Sequence, residues 1–238
     1  MNELIEYTIN AHGGLDQWRK FYTLSAHLAV GGVLWAMKGH AGAIDEIDVT
    51  VNLLEQKTSH IPGEAWHTAY TPNRVAIEAG NGSVVEELYN PRQSFKDHTL
   101  ETTWSNLQLA YFTGYAMWNY LNTPFLFARP GFEIREEEPW EEGNETWRRL
   151  RIKWPNDIHT HSEEQVLYID KQGLIRRQDY KVEISGNVPA AHYLSAYKEI
   201  SGIKIATKRE VFSIGENNMP QPGGPLIVSI ELSEIKFR

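Results

Sequence analysis

The triplet His159-Thr160-His161 is the first place in this chain where residue type and spacing suggest chemistry. Residues two apart on a strand share a face, so His159 and His161 could present both imidazoles to one metal ion, and Glu163 or Glu164 could add a carboxylate. The plainer reading puts Pro155-Asn156-Asp157 in a turn and leaves His159 exposed beside it. Two imidazoles need further ligands to hold a divalent ion. A second group is spread more widely. If the turns fall where glycine and proline put them, His161, the pair Asp179-Tyr180 and His192 lie on three consecutive antiparallel strands. Gathered on a concave face, they could serve as acid, base and orienting groups near neutral pH. The competing reading is a set of cross-strand polar pairs that fix sheet register. A slip of one residue would send these side chains to opposite faces.

Arginines and aromatics supply the binding candidates. Arg149, Arg151, Arg176 and Arg177 stand on neighbouring strands. Arg177 in particular could clamp a carboxylate or phosphate head group. The alternative is a ladder of weak surface pairs with Glu163, Glu164, Asp179 and Glu183. Trp35, Tyr111, Tyr115, Trp118 and Phe125 would line a cavity or fill a core. Other chemistries are absent from the sequence. It has no Gly-x-x-x-x-Gly-Lys-Ser/Thr loop, no Gly-x-Gly-x-x-Gly turn, no Gly-x-Ser-x-Gly elbow and no His-Glu-x-x-His. With no cysteine there is no disulfide, thiol nucleophile or thiolate metal site. No cofactor is implied.

The elements that must position these residues are mostly strands. From Thr146 to Ser213 apolar and polar residues alternate: Arg149-Leu150-Arg151-Ile152-Lys153-Trp154, then Tyr180, Val182 and Ile184 against Asp179, Lys181 and Glu183. A period of two marks an antiparallel sheet with one buried face. Similar segments run from Leu24 to Val30, Val33 to Lys38, Ile47 to Leu53, Trp66 to Tyr70, Arg74 to Glu78 and Val84 to Tyr89. A change of parity near Ser233 predicts a bulge in the last strand. Leu4–Ala11 reads as a short helix ended by His12-Gly13-Gly14, and Leu15–Phe21 as a further helical turn. Trp104–Leu121 is different. Ser105 and Gln108 have capping-box spacing, and the segment is apolar on nearly every side, so it reads as a buried helix. Glu136–Glu138 and Glu141-Glu142 read as an exposed strand end and loop. The expected fold is mainly β (α+β): one domain over 1–238, a large curved antiparallel sheet or incomplete barrel of about eleven strands wrapped around that helix.

Hydrophobic residues are 41% and charged residues 23% of the 238, as in ordinary folded proteins. A net charge of −8 argues against nucleic acid and anionic membrane surfaces as main partners. Trp104–Leu121 is short for a bilayer crossing. The start, Met1-Asn2-Glu3-Leu4-Ile5-Glu6, lacks the basic and apolar regions of a secretory signal, and the expectation from it is a cytoplasmic protein.

Three phrases carry a resemblance: Ala11-His12-Gly13-Gly14-Leu15-Asp16-Gln17-Trp18, Asp170–Tyr180, and Pro189-Ala190-Ala191-His192-Tyr193. With the strand pattern, they resemble the LolA/LolB/LppX-like lipoprotein-carrier superfamily and, more closely, an uncharacterised group of bacterial proteins on the same plan. The resemblance implies a curved half-barrel closed by helices and holding acyl chains. Those carriers are exported, so a cytoplasmic member is expected to bind or transform something else. The first expectation is a binding protein for a hydrophobic or amphipathic small molecule or lipid, held between the sheet and the 104–121 helix. The second is a hydrolase or isomerase acting on an apolar substrate in the same cavity through His161, His192, Asp179 and Tyr180, with or without a metal. A third is an interaction module that presents a sheet edge or the Asn217–Pro225 loop.

Overall fold

The computed structural model describes residues 2–62 and 66–238. In chain order, α1 (Glu3–Ala11) and α2 (Leu15–Trp18) precede β1 (Thr23–Gly31), α3 (Leu34–Met37) and β2 (Glu46–Asn52). There follow β3 (Thr58–Ile61), β4 (Trp66–Thr71), β5 (Arg74–Ala79) and β6 (Val84–Tyr89). A tight helical turn at Pro91–Phe95 leads into α4 (Asn106–Asn122), and another at Phe125–Ala128 leads out of it. The second half is a meander of β7 (Glu133–Glu142), β8 (Glu145–Lys153), β9 (Glu164–Ile169), β10 (Ile175–Val182), β11 (Val188–Ile200), β12 (Ile203–Ser213) and β13 (Val228–Phe237).

Among the described residues the strands form one 13-stranded sheet in the order β6-β5-β4-β3-β2-β1-β13-β12-β11-β10-β9-β8-β7. Every pairing is antiparallel, and the first and last strands of the chain meet in the middle. The two halves meander outward from that seam, and β6 and β7 end at opposite edges without pairing. The result is an open half-barrel. The bulge expected near Ser233 is present: β1 pairs Ser25 with Lys236 but His27 with Ser233.

To pass from β6 to β7 the chain must cross between the two edges, and α4 makes that crossing. A buried crossing needs its backbone groups paired, which a helix does internally. Ser105 caps it through Gln108 in the expected capping box, and fifteen of its seventeen residues are buried. The helix lies against β2, β3, β4 and β5. Thr58 Oγ1 donates to Gly114 O at 3.0 Å, and Trp118 Nε1 reaches Asn52 O and Glu55 O at 2.7 Å. At Gly114 the approach to β4 is close enough that a Cβ would sit 2.4 Å from Tyr70 Cγ. The helices α1 and α2 cover the end of the half-barrel where the β9–β10 and β11–β12 turns lie. There Tyr7 OH donates to Lys171 O, Lys204 N donates to His12 O, and Gln17 Nε2 donates to Ser201 O.

Three expectations need correction. Val33–Lys38 is not a strand. At Gly32 φ is +102° and a Cβ would sit 2.4 Å from Ile227 O, so the chain turns there and coils into α3, which buries the adjacent pair Leu34 and Trp35. The acidic run at 136–142 is not a strand end and loop but most of the edge strand β7. There Glu136 pairs bidentately with Arg148, at 2.7 and 2.9 Å, and Glu137 pairs with Arg151. The strand count of about eleven is low because β3 escaped notice as well. Its inward positions are Thr58 and His60, so it shows no apolar alternation.

Gly114→Ala should lower the unfolding free energy by about 1–3 kcal/mol, the cost of overpacking a filled contact. Urea denaturation checks this, and Tyr70→Leu in the same chain should recover part of the loss.

Candidate functional site

The two faces of β10 separate the residues that sequence reasoning grouped together. Alternation puts Gln178 and Tyr180 on the concave face and Arg177 and Asp179 on the convex one. His192 lies opposite Gln178 in the β10–β11 register and joins the concave group. His161 stands in the loop before β9 rather than on a strand, yet it reaches the same place. Its ring stacks on Tyr180 with centroids 4.1 Å apart. Its Nδ1 is 3.1 Å from Tyr115 OH and its Nε2 is 2.7 Å from Tyr120 OH, which in turn lies 2.9 Å from Tyr180 OH. His192 packs edge-on to Tyr120 at 4.5 Å, and neither of its ring nitrogens has a partner among the described residues. His161, Tyr180 and His192 are thus brought together, with Tyr115 and Tyr120 as partners that the sequence reading did not pair with them. Asp179 does not join them.

This inner group is uncharged at neutral pH. Burial, helped by the Arg92 guanidinium, lowers His161 to about 3. Burial lowers His192 well below the ordinary imidazole range, raises Tyr120 to about 12 and raises Tyr180 well above the ordinary phenol range. Among the described residues no carboxylate hydrogen-bonds to either histidine.

On the convex face Arg177 is wholly enclosed. Its Nε and Nη2 bond the two oxygens of Asp179 at 2.6 and 2.9 Å, Nη1 bonds Glu142 at 2.9 Å, and Nη2 also reaches Asn218 O. The guanidinium lies 4.8 Å from the centre of the Tyr168 ring. Burial raises the Asp179 pKa, against the pull of Arg177 and of the Tyr168 hydroxyl. Arg177 therefore has its donors occupied within the protein, on the face away from α4. His159 bonds Tyr111 OH through Nδ1 at 2.9 Å, so the two histidines of the triplet engage different tyrosines. Among the described residues no three or more His, Cys, Asp or Glu are grouped to hold a metal ion.

Two adjoining spaces lie between α4 and the sheet. The inner one is a cavity of about 80 Å³ whose walls include Leu28, Val30, Trp35, Phe112 and Met117, with Tyr120, His161 and Tyr180 also on its wall. The outer one is a cleft of about 490 Å³, bounded by Trp66, Ile77, Val85 and Leu109. Ile44, Ile47, His60 and Thr113 line both. Of the aromatics expected at a cavity, Trp35 lines the inner one. Tyr111, Tyr115, Trp118 and Phe125 belong to the core, where Phe125 stacks on Trp18 at 4.1 Å and Tyr111 touches Tyr70, Phe95 and Tyr115. Sequence reasoning missed most of the remaining lining, including Ile44, His60 and Thr113, which border both spaces. The apolar face of α4 announced Thr113's neighbours, but nothing in the sequence announced β3.

Lys38 fixes one wall. Its Nζ donates to Thr99 O, Leu100 O and Thr102 O at 3.2, 2.6 and 3.1 Å and lies 4.8 Å above the Trp104 ring. It thereby holds Leu100 and Trp104 against the inner cavity. Burial lowers its pKa to about 8.

No protein-family model matches the chain, and no curated protein matches its sequence. Solved structures do match its shape. A LolA superfamily protein from Nitrosomonas europaea superposes with a TM-score of 0.54 at 9% identity, over 98% of this chain and 92% of that one. The chain has a LolA-like fold. A DUF1329 family protein from Desulfovibrio piger gives a TM-score of 0.52 at 10% identity, over 98% of this chain and 91% of that one. At these identities the likeness concerns the LolA-like half-barrel itself.

Two outcomes are expected. Asp179→Ala leaves a buried guanidinium short of its main partner, and denaturation should show a loss of about 3 kcal/mol. The folded variant should bind apolar probes as the parent does. The second concerns pH. His161 has a pKa of about 3 in the fold and an ordinary 6.5 when unfolded, so the unfolded chain binds more protons between those values. The stabilisation is full above 6.5 and is lost as pH falls toward 3. His12, His60 and His159, each lowered to about 4 by burial, act in the same sense. In urea titrations from neutral pH into this window, His161→Phe should show a shallower decline, by up to about one proton per molecule.

Proposed function

We propose that the chain binds a hydrophobic or amphipathic small molecule, a lipid among them, in the space between α4 and the half-barrel. One observation carries this reading. An apolar cleft of about 490 Å³ opens beside α4 and adjoins the inner cavity at His60, and its size falls in the range of small-molecule sites. Its mouth is marked by large apolar side chains that a folded chain would otherwise cover: Trp66 is 40% and Val85 67% exposed. The LolA-like fold supports the reading as architecture, since its open sheet leaves room under the helix.

The enzyme reading has less behind it. An acid–base catalyst works best with a pKa near the working pH, whereas His161 is driven to about 3 and Tyr120 to about 12. The carboxylate that was to orient them, Asp179, faces away and is engaged by Arg177. Among the described residues no helix is long and apolar enough to cross a membrane.

Thr113 stands at the junction of cleft and cavity, so Thr113→Trp should plug it. The neutral fluorophore N-phenyl-1-naphthylamine should bind the parent protein and bind the variant about tenfold more weakly, a loss near 1.4 kcal/mol, with cooperative unfolding preserved. Equal binding by parent and variant would remove the cavity as the site. A native mass spectrum set against the denatured mass should also show a small molecule carried through purification.

A further inference from the structure

His60 occupies a position that packing alone does not explain. It is 2% exposed and lies on β3 at the point shared by the cleft and the inner cavity. Its backbone N–H donates to Thr68 Oγ1 at 2.9 Å, and the same oxygen lies 3.5 Å from its Nδ1. In one of the two neutral tautomers the Thr68 hydroxyl donates to Nδ1. The ring proton then sits on Nε2. Nε2 is buried and has no partner among the described residues, and burial keeps the ring neutral, with a pKa of about 4. A leucine would fill this place without leaving a polar atom unpaired, and an unpaired buried donor carries an uncompensated desolvation cost.

Two more buried donors without a partner among the described residues, Trp104 Nε1 and Ser185 Oγ, belong to residues lining the inner cavity. Among the described residues neither space has a lysine or arginine in its lining to neutralise an anion there. Lys38 gives its ammonium to three carbonyls. Arg92 bonds Glu183 and Thr160 O. Arg209 donates to Tyr120 O through Nη2 and leaves its Nε without a partner among the described residues, but it lines neither space. A carboxylate would enter with its charge unmatched, whereas a neutral oxygen acceptor would meet a waiting N–H.

We propose that His60 Nε2 selects ligands with an apolar chain and a neutral carbonyl acceptor, such as a ketone or an ester, over both plain hydrocarbons and carboxylates. This rests on the reading of the cleft as a binding site. It makes His60 a specificity-determining residue that touches the ligand where the chain passes from the cleft into the core.

The test is displacement of bound N-phenyl-1-naphthylamine by compounds of similar length: dodecane, 2-dodecanone, methyl undecanoate and, at pH 8, dodecanoate. The ketone, the ester or both should displace the probe about fivefold to tenfold more tightly than the alkane, the net worth of one buried hydrogen bond, and the carboxylate should be the weakest. The ketone and ester arms separate the two sources of the carbonyl. In His60→Leu the preference for carbonyl over alkane should vanish while alkane displacement persists. If that variant does not fold, the ranking on the parent protein decides alone. Equal affinity for alkane and both carbonyl compounds, or tightest binding of the carboxylate, overturns the proposal and leaves the cleft as a site. Failure of the probe and all four compounds to bind removes the site itself, and the proposal with it.

Discussion

The crossing from one sheet edge to the other is the constraint on which this structure depends. An antiparallel meander that starts at the middle of a sheet and ends at its rim must bring the chain across the open face to build the other half. Water is excluded along that route, so every peptide group on it needs an internal partner. A helix supplies those partners and asks only for a cap at each end. Ser105 and Gln108 provide the first cap. At the other end Arg209 donates to Tyr120 O, in the last turn, where the helix dipole is negative. Among the described residues this buried guanidinium has no carboxylate beside it. The carbonyl and the Tyr120 ring, 5.2 Å away, are what surround it instead.

The same constraint sorts charge between the faces. Apart from Arg209, the concave side shared between α4 and the sheet holds mostly neutral groups: tyrosines, imidazoles pushed to low pKa, and amides such as the Gln178–Gln165 pair at 2.6 Å. Charges that belong to the same strands go to the convex side, where Arg177, Asp179 and Glu142 close a cluster among Trp140, Tyr168 and Tyr193. A one-residue step along β10 separates these two environments. A buried charge needs a partner of opposite sign, and a buried neutral donor needs only an acceptor. An interior arranged in this way favours uncharged chemistry in whatever occupies it.

How far the sequence foretold this depends on the residue. α4 was legible because its apolar residues recur at helical spacing on every side and its capping box is local. The long strands were legible through alternation, and the bulge near Ser233 through a break in it. Alternation also forbids Asp179 and Tyr180 from facing the same way, so their grouping as one site conflicted with the period that placed them. β3 was hidden because its inward positions are Thr58 and His60, and polar residues facing a cavity remove the signal by which strands are recognised. The Val33–Lys38 segment misled for the opposite reason. A short apolar run reads equally as strand or helix, and only the close approach of Ile227 O to Gly32 decides it. The residues that line the cavity were thus harder to foresee than those that build the frame.

The two edges of the half-barrel are finished differently, and the difference bears on where a ligand enters. An open edge invites pairing with another chain unless something prevents it. On β7 the deterrents are glutamates at 133, 136, 137, 138, 141 and 142, a proline at 139 and a register break between Glu137 and Trp140. On β6 the residues are Val84, Val85, Glu86, Glu87, Leu88 and Tyr89, with Val84 and Val85 48% and 67% exposed. Val85 and Glu86 border the cleft. The charged edge is closed to apolar material, while the other carries an apolar approach directly to the space under α4. Exposed valines on a sheet edge are a liability in a purely structural strand. Beside a cleft of about 490 Å³ that His60 also lines, they mark the side from which the proposed ligand would enter.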